Sequence, residues 1–314
     1  MKIFVPALRQ IIPAKHPEEF VNWMVEVNED EVKNLVIPHW KKIDAAKDIQ
    51  ELRRLYKISI EEVCGRDVAY GTMDPFMRRP IMTVHAGASP GDEDCSDLFL
   101  ALAHKVGFLT AKHRWTLFYG GGETGGMGKV AKGFYAGLNA FGRADDQYSV
   151  QVIPADFVLG VKSLNNNRPK NEGLCTTTDA ALVMPDFMMR RHILNFRAEV
   201  AITKVGSLGS LDEWSDIAVS IKTGLSDVRL YTLNPYVEKL KGKFYAPLNE
   251  QIENSVTCGL QNRDIYNHLK FMNSPEEIFA DLEKNNVDPE QKYQARRQRF
   301  GFTPGIPRPV PSLV

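Results

Sequence analysis

From Pro80 onward, short apolar runs rich in β-branched and aromatic residues alternate with stretches of helical periodicity. Ile81 to His85, Trp115 to Tyr119, Val150 to Ile153, Glu199 to Val205 and Val228 to Leu233 read as strands. Between the first two, Leu98, Leu102, Val106 and Leu109 make one helical stripe. Val130, Phe134, Leu138 and Phe141 make another, on a helix starting about Met127. Further helices are expected around Met188 to Phe196, from Leu211, and from Ser274, where Ser274, Pro275 and Glu277 spell a helix entry. A strand whose successor is parallel must be joined to it by a crossover, so this alternation predicts a mainly parallel sheet covered by helices. The expected class is α/β, a Rossmann-like doubly wound sheet with a mostly helical N-terminal extension.

The flanks have a different texture. In residues 1–78, Phe20, Trp23, Met24, Val27, Val32, Leu35 and Val36 fall at helix-compatible spacings, and Gly71 to Pro80 reads as a connector into a catalytic domain over 79–285. Asp156 to Pro185, with Asn165, Asn166 and Asn167, reads as a long irregular excursion. Residues 286–314 form a Pro- and Arg-rich tail expected to be extended or mobile, with Arg296, Arg297 and Arg299 solvated.

Composition removes several function classes. Lys plus Arg and Asp plus Glu both total 39, so no global field exists to grip a nucleic acid. Cys64, Cys95, Cys175 and Cys258 lack any C-x-x-C spacing, which argues against a zinc site or a disulfide framework. The N-terminal segment lacks a signal-peptide pattern, and no run approaches the roughly 20 apolar residues that span a bilayer. A cytoplasmic protein using no metal or cofactor, and contacting neither membrane nor nucleic acid, is expected.

The chemistry concentrates in glycine turns between strands and helices. The first is Tyr119-Gly120-Gly121-Gly122-Glu123-Thr124-Gly125-Gly126-Met127-Gly128. Glycine permits a close approach of backbone to ligand, and the free amides of the following helix can hold phosphate or ribose oxygens. Gly120, Gly122 and Gly125 also satisfy the G-x-G-x-x-G spacing of dinucleotide sites. A second turn, Val205-Gly206-Ser207-Leu208-Gly209-Ser210-Leu211-Asp212-Glu213, and a third, Ala86-Gly87-Ala88-Ser89-Pro90-Gly91, follow strands too. In a parallel sheet all three reach one crevice and frame a nucleotide-like ligand. Glu213 has a second reading, because Ser210-x-x-Glu213 spells a capping box. Arg190 and Arg191 equally suit a solvated helix face, and His85 and His192 suit structural roles.

These motifs resemble the LONELY GUY family of cytokinin riboside monophosphate phosphoribohydrolases, often misnamed lysine decarboxylases, over about Pro80 to Glu283. Gly87 to Gly91 is similar to the family's G-S-S-x-G, and Tyr119 to Gly128 meets its Y-G-G-G-x-x-G-x-M-G in full. Counting back from the second turn, Arg190 falls on the family's catalytic arginine, Arg191 on its lysine and Glu213 on its catalytic glutamate. Phe187, Val205, Ser207 and Ser210 depart from its methionine, proline, second glycine and threonine. The resemblance implies hydrolysis of a nucleoside 5′-monophosphate to free base and ribose 5-phosphate by a homodimer. It implies catalysis by Glu213 and Arg190. Substrate and phosphate binding fall to Ser89, Gly120, Gly121, Gly122, Gly125, Met127, Gly128, Arg191, Gly206, Ser207, Gly209 and Ser210. No residue stands out as acid for the departing base. A nucleotide carrier without turnover is the main competing expectation. A nicotinamide-dependent oxidoreductase, for which Asp156 alone stands near the ribose-binding position, is the lesser one.

Overall fold

The computed structural model describes residues 1–7, 24–65, 74–158, 173–196 and 198–306. Each buried apolar run forms a strand, and a glycine or cap begins most of the helices between them. β3 (Ile81–His85), β4 (Thr116–Tyr119), β5 (Ser149–Pro154), β6 (Ala180–Met184), β7 (Ala198–Thr203), β8 (Arg229–Leu233) and β11 (Leu269–Met272) are parallel. Together with β1 (Lys2–Pro6) and β2 (Met24–Val27) they make a nine-stranded sheet in the order β11-β8-β7-β3-β4-β5-β6-β1-β2. From β3 the chain steps outward through β4, β5 and β6, then returns to the other side of β3 for β7 and β8. That reversal makes the sheet doubly wound and opens a crevice at the carboxyl ends of β3, β4 and β7. A separate antiparallel ribbon pairs β9 (Tyr236–Val237) with β10 (Gly242–Lys243).

Helices cover both faces. Along β7, Val200 and Ile202 join the core under α5 (Glu93–Lys112), α6 (Gly125–Phe141) and α11 (Pro275–Lys284). Ala201, on the opposite face, packs with Trp214 and Ile217 of α9 (Leu208–Lys222), while α8 (Phe187–Phe196) lies over β5 and β6. Between these run α4 (Asp74–Arg78), α7 (Ala155–Val158) and α10 (Ala246–Thr257). Gly107 and Gly133 let α5 and α6 meet backbone to backbone: a methyl group at Gly133 would lie 1.9 Å from the His104 carbonyl oxygen. The sequence signal at Ser274 corresponds to a real cap, its hydroxyl accepting the Glu277 amide at 3.2 Å.

Three expectations need correction. Met24 and Val27 lie in β2, not in a helix, and β1 pairs in parallel with β6, so the extension contributes strands as well as helices. Helical spacing misled there because Met24, Val25 and Val27 are buried on both faces of a strand, which erases the two-residue alternation. Beyond it, α1 (Ile37–Asp44), α2 (Ile49–Lys57) and α3 (Ile60–Cys64) are helical, and Trp40, Ile43, Leu55 and Ile60 pack against Ile153 and Val183 of the sheet. Phe20 and Trp23 lie outside the described residues, as do Asn165, Asn166 and Asn167.

The second correction concerns the irregular excursion, whose end is β6, a fully buried strand between β5 and β1. Its run AALVM is short and begins with two alanines, so it carries little strand propensity of its own. The third concerns the tail. Pro289–Phe300 is a helix, α12, whose Tyr293 is fully buried and donates to Asp146 at 3.0 Å. Arg79 lies 4.1 Å from the Tyr293 ring centre and pairs with Glu290 at 2.9 Å. Arg78 binds the carbonyls of Thr303 and Ile306, which fastens the chain as far as residue 306. Arg296 pairs with Glu199 and donates to the Arg78 carbonyl, so it is not simply solvated.

Candidate active site

The crevice at the switch point is a cleft of about 500 Å³ bounded by all three glycine turns. Ser89, Met127, Arg190, Ser207, Gly209, Ser210 and Glu213 line it, joined by Thr124, Pro154, Phe157 and Phe187. Arg190 reaches it because Asp186 accepts the Met189 amide at 2.8 Å in the first turn of α8, one residue before it. The same helix carries Arg191 to the outside, where it pairs with Asp212 at 2.6 Å. Arg191 therefore does not line the cleft.

Glu213 and Arg190 meet at the cleft floor, Nη1 to Oε1 2.9 Å, with side chains only 6% and 12% exposed. Arg190 is held by two further bonds, Nε to the Val152 carbonyl at 3.1 Å and Nη2 to the Gly120 carbonyl at 3.3 Å. Gly120 leaves room for this: a methyl group there would lie 2.1 Å from Nη2. A buried carboxylate paired with a guanidinium that is itself anchored on two backbone carbonyls stays in one orientation, because the planar donor set is fixed. The capping-box reading of Ser210 and Glu213 does not hold. α9 begins at Leu208 with Ser207 as its N-cap, which places Ser210 in the first turn and frees Glu213 for Arg190.

His85 is structural, as expected of a histidine at the end of a buried strand. It is buried, with Nδ1 2.9 Å from Thr203 Oγ1 and Nε2 3.0 Å from Asn195 Oδ1. Burial pulls its pKa below the usual histidine value, although the Glu213 charge acts in the opposite direction. Asn195, which the sequence did not single out, donates to the Glu213 carbonyl at 3.3 Å and to Asp216 at 2.7 Å. His85 and Asn195 thus support the backbone that carries Glu213.

The two principal turns differ in use. In the first, Gly121 and Gly122 have φ of 78° and 85°, and Gly125 has φ of 55° with no room for a methyl group, which would lie 2.0 Å from the Ala88 carbonyl oxygen. Glu123 binds the Thr176 amide at 3.1 Å and hydroxyl at 2.8 Å, and these bonds hold its carboxyl below the usual range. Gly120, Gly121, Gly122, Gly125 and Gly128 shape the turn rather than line the cleft. In the second turn no side chain caps α9, and Gly209 faces open space. The uncapped amides at that helix start are donors for an anion. Ser207 adopts φ −94°, an ordinary value, so its side chain strains nothing. Gly206 is confined instead, since a methyl group there would lie 2.3 Å from Ser210 Oγ.

Residues 127–282, which include Arg190, the second turn and Glu213, match the family described as "Possible lysine decarboxylase". This is the LONELY GUY group, to which the chain is similar over that stretch. It is 28% identical over 155 residues to the cytokinin riboside 5′-monophosphate phosphoribohydrolase of Mycobacterium marinum, spanning 49% of this chain and 71% of that protein. The same identity and spans hold for the protein of that name from Mycobacterium tuberculosis. Among solved structures, the molybdenum cofactor binding protein from Rippkaea orientalis matches 67% of this chain and 99% of its own. Its TM-score is 0.43 at 19% identity. The molybdenum cofactor carrier protein from Chlamydomonas reinhardtii matches 66% of this chain and 97% of its own, with TM-score 0.42 and 17% identity. Among the described residues no helix is long and apolar enough to cross a membrane. Among the same described residues no group of three or more His, Cys, Asp or Glu is placed to hold a metal.

Proposed function

We propose that the chain hydrolyses the N-glycosidic bond of a nucleoside 5′-monophosphate, releasing the base and ribose 5-phosphate. The observation that carries this reading is the buried Arg190–Glu213 pair on the floor of a cleft whose rim is a helix start with uncapped amides. Cleavage at C1′ passes through an oxocarbenium-like state, and a fixed carboxylate beside the sugar stabilises that positive charge and orients the attacking water. Glu213 takes this role. Arg190 keeps Glu213 aimed, while its Nε and Nη2 donate to the Val152 and Gly120 carbonyls that hold it in place. The phosphate sits at the start of α9, among Ser89, Ser207, Gly209 and Ser210. A helix N-terminus contributes about 0.3–1 kcal/mol there, and more where it is partly buried. Phe157 and Phe187, whose rings meet edge to face at 5.2 Å, offer the base an apolar wall. A homodimer, checked by sedimentation, is part of the same proposal.

The test is incubation with a panel of nucleoside 5′-monophosphates and the matching nucleosides, following free base and ribose 5-phosphate by chromatography. Release from monophosphates alone, reduced at least about 100-fold in Glu213→Gln, is the expected result. Tight binding across the panel without release overturns the hydrolase reading in favour of a carrier.

A further inference from the structure

We infer that a second cavity, at the outer edge of the sheet, is a binding site for a small organic carboxylate with an apolar body. The cavity holds about 440 Å³ between the edge strand β11 and the start of α10, and among the described residues it shares no wall with the cleft. A volume of this order is that of a small-molecule site. Asn234, Lys243, Ala246, Glu250, Tyr266 and Phe271 are among its lining. The residue that points to a ligand is Asn234. It follows β8, and its amide donates to the Met272 carbonyl at 2.7 Å, which fixes its backbone. Its side-chain Oδ1 accepts the Tyr245 amide at 2.5 Å, and a carboxamide whose oxygen is engaged in this way turns its NH2 to the other side. Among the described residues that Nδ2 has no acceptor, although Asn234 is only 5% exposed. A buried donor left unmet is costly, and the cavity is the space that remains to it.

Two positive features open on the same space. α10 runs for 12 residues, and no side chain caps its start at Tyr245, so its dipole presents a positive end where Ala246 meets the cavity. Lys243 is exposed at the rim, and among the described residues no carboxylate pairs with it. Lys270, in contrast, already has its counter-charge in Asp281, at 2.8 Å. The charge and the shape of the ligand follow from these neighbours. One unpaired ammonium suits a monoanion, and the two oxygens of a carboxylate accept from Asn234 and Lys243 together. Glu250, in the same lining, repels a dianion such as phosphate more strongly than a monoanion. Tyr266 and Phe271, both half-buried, give the body of the ligand an aromatic wall.

The inference concerns binding alone and stands whether or not a glycosidic bond is cleaved. It is tested by calorimetric titration of the full chain at pH 7 with benzoate, 3-phenylpropanoate and hexanoate, and with the uncharged amide of the second. The expected result is one site for at least one of the carboxylates, bound at least about tenfold more tightly than the amide and not displaced by inorganic phosphate. Asn234→Asp keeps an oxygen for the Tyr245 amide while replacing the donor by a negative charge, and it should weaken the carboxylate at least about tenfold. Lys243→Met, a surface change, should weaken it about fivefold, and Glu250→Gln should strengthen it. Ser210→Ala, in the cleft, should leave it unchanged. Absence of binding by all three carboxylates overturns the proposal, as does displacement by phosphate, or equal affinity in the wild type, Asn234→Asp and Lys243→Met.

Discussion

The two longer glycine turns of this molecule face the same cleft and obey different rules. In the first, Tyr119 to Gly128, Glu123 and Thr124 are exposed but the glycines are closely packed: the Ala88 carbonyl stands over Gly125, the Glu123 carbonyl over Gly128 and the Arg190 side chain over Gly120. The second, Val205 to Glu213, is open, with Leu208 and Gly209 exposed and nothing within 4 Å of a methyl group at Gly209. A complete glycine motif therefore reports close packing here. Of the departures from the family pattern, Val205, Ser207 and Ser210 fall in the second turn, where Ser207 is exposed and Val205 and Ser210 are buried. Completeness of a motif and contact with a ligand are separate properties, and the open turn, together with its Glu213, carries the proposed chemistry.

Four substitutions break or sharpen this contrast. Arg190→Ala should have the largest effect on stability, about 3–5 kcal/mol, because it leaves Glu213 buried without its partner. Urea denaturation measures it, and a loss below about 1 kcal/mol would mean that the second turn does not depend on the pair. Lys204 links the turns, ending the strand before one and pressing on the other. Its folded-state pKa of about 8 lies below the 10.5 of the free side chain, so below pH 8 the folded protein bears the whole penalty of a buried ammonium. Between about pH 8 and 10.5 the unfolded chain keeps a proton that the folded one has shed, and stability rises with pH. Lys204→Met should thus add about 3 kcal/mol at pH 7 and abolish that rise, as read by denaturation at several pH values.

Gly125→Ala should cost about 2–4 kcal/mol, the sum of a left-handed backbone and a collision with the Ala88 carbonyl. Gly209→Ala should be the mildest, a gain of about 0.5–1 kcal/mol from helix propensity in open space. Melting temperatures of the two variants decide the matter. Equal tolerance at both positions would remove the distinction between a packed turn and an open one.

The central strands, the two glycine turns and the helices between them were legible because each is coded by neighbours in the chain: a buried run, a break, then a stripe. β6 was not, since AALVM is a strand only through its place between β5 and β1. α12 was not legible either. Its face is mostly charged, and it is held by a few distant partners, Asp146, Arg79 and Glu199, rather than by an apolar stripe. Of the residues singled out for the site, Arg190 and Glu213 came together at the cleft floor, whereas Arg191 turned outward to Asp212. One position along a helix rotates a side chain by about 100°, which separates neighbouring arginines into different roles. Asn195 and Lys204 carried no spacing signal, because their importance comes from strands and helices remote in sequence.

What the sequence by itself determined, then, was the order of strands, turns and helices and the identity of the glycine motifs, since propensity and periodicity are local. The tertiary structure alone decided which turn is packed and which is open, that Glu213 faces Arg190 instead of capping its own helix, and that Lys204 is buried beside a helix start without a counter-charge. Burial and charge pairing depend on elements far apart in the chain, and only their assembly around the sheet brings those elements within bonding distance.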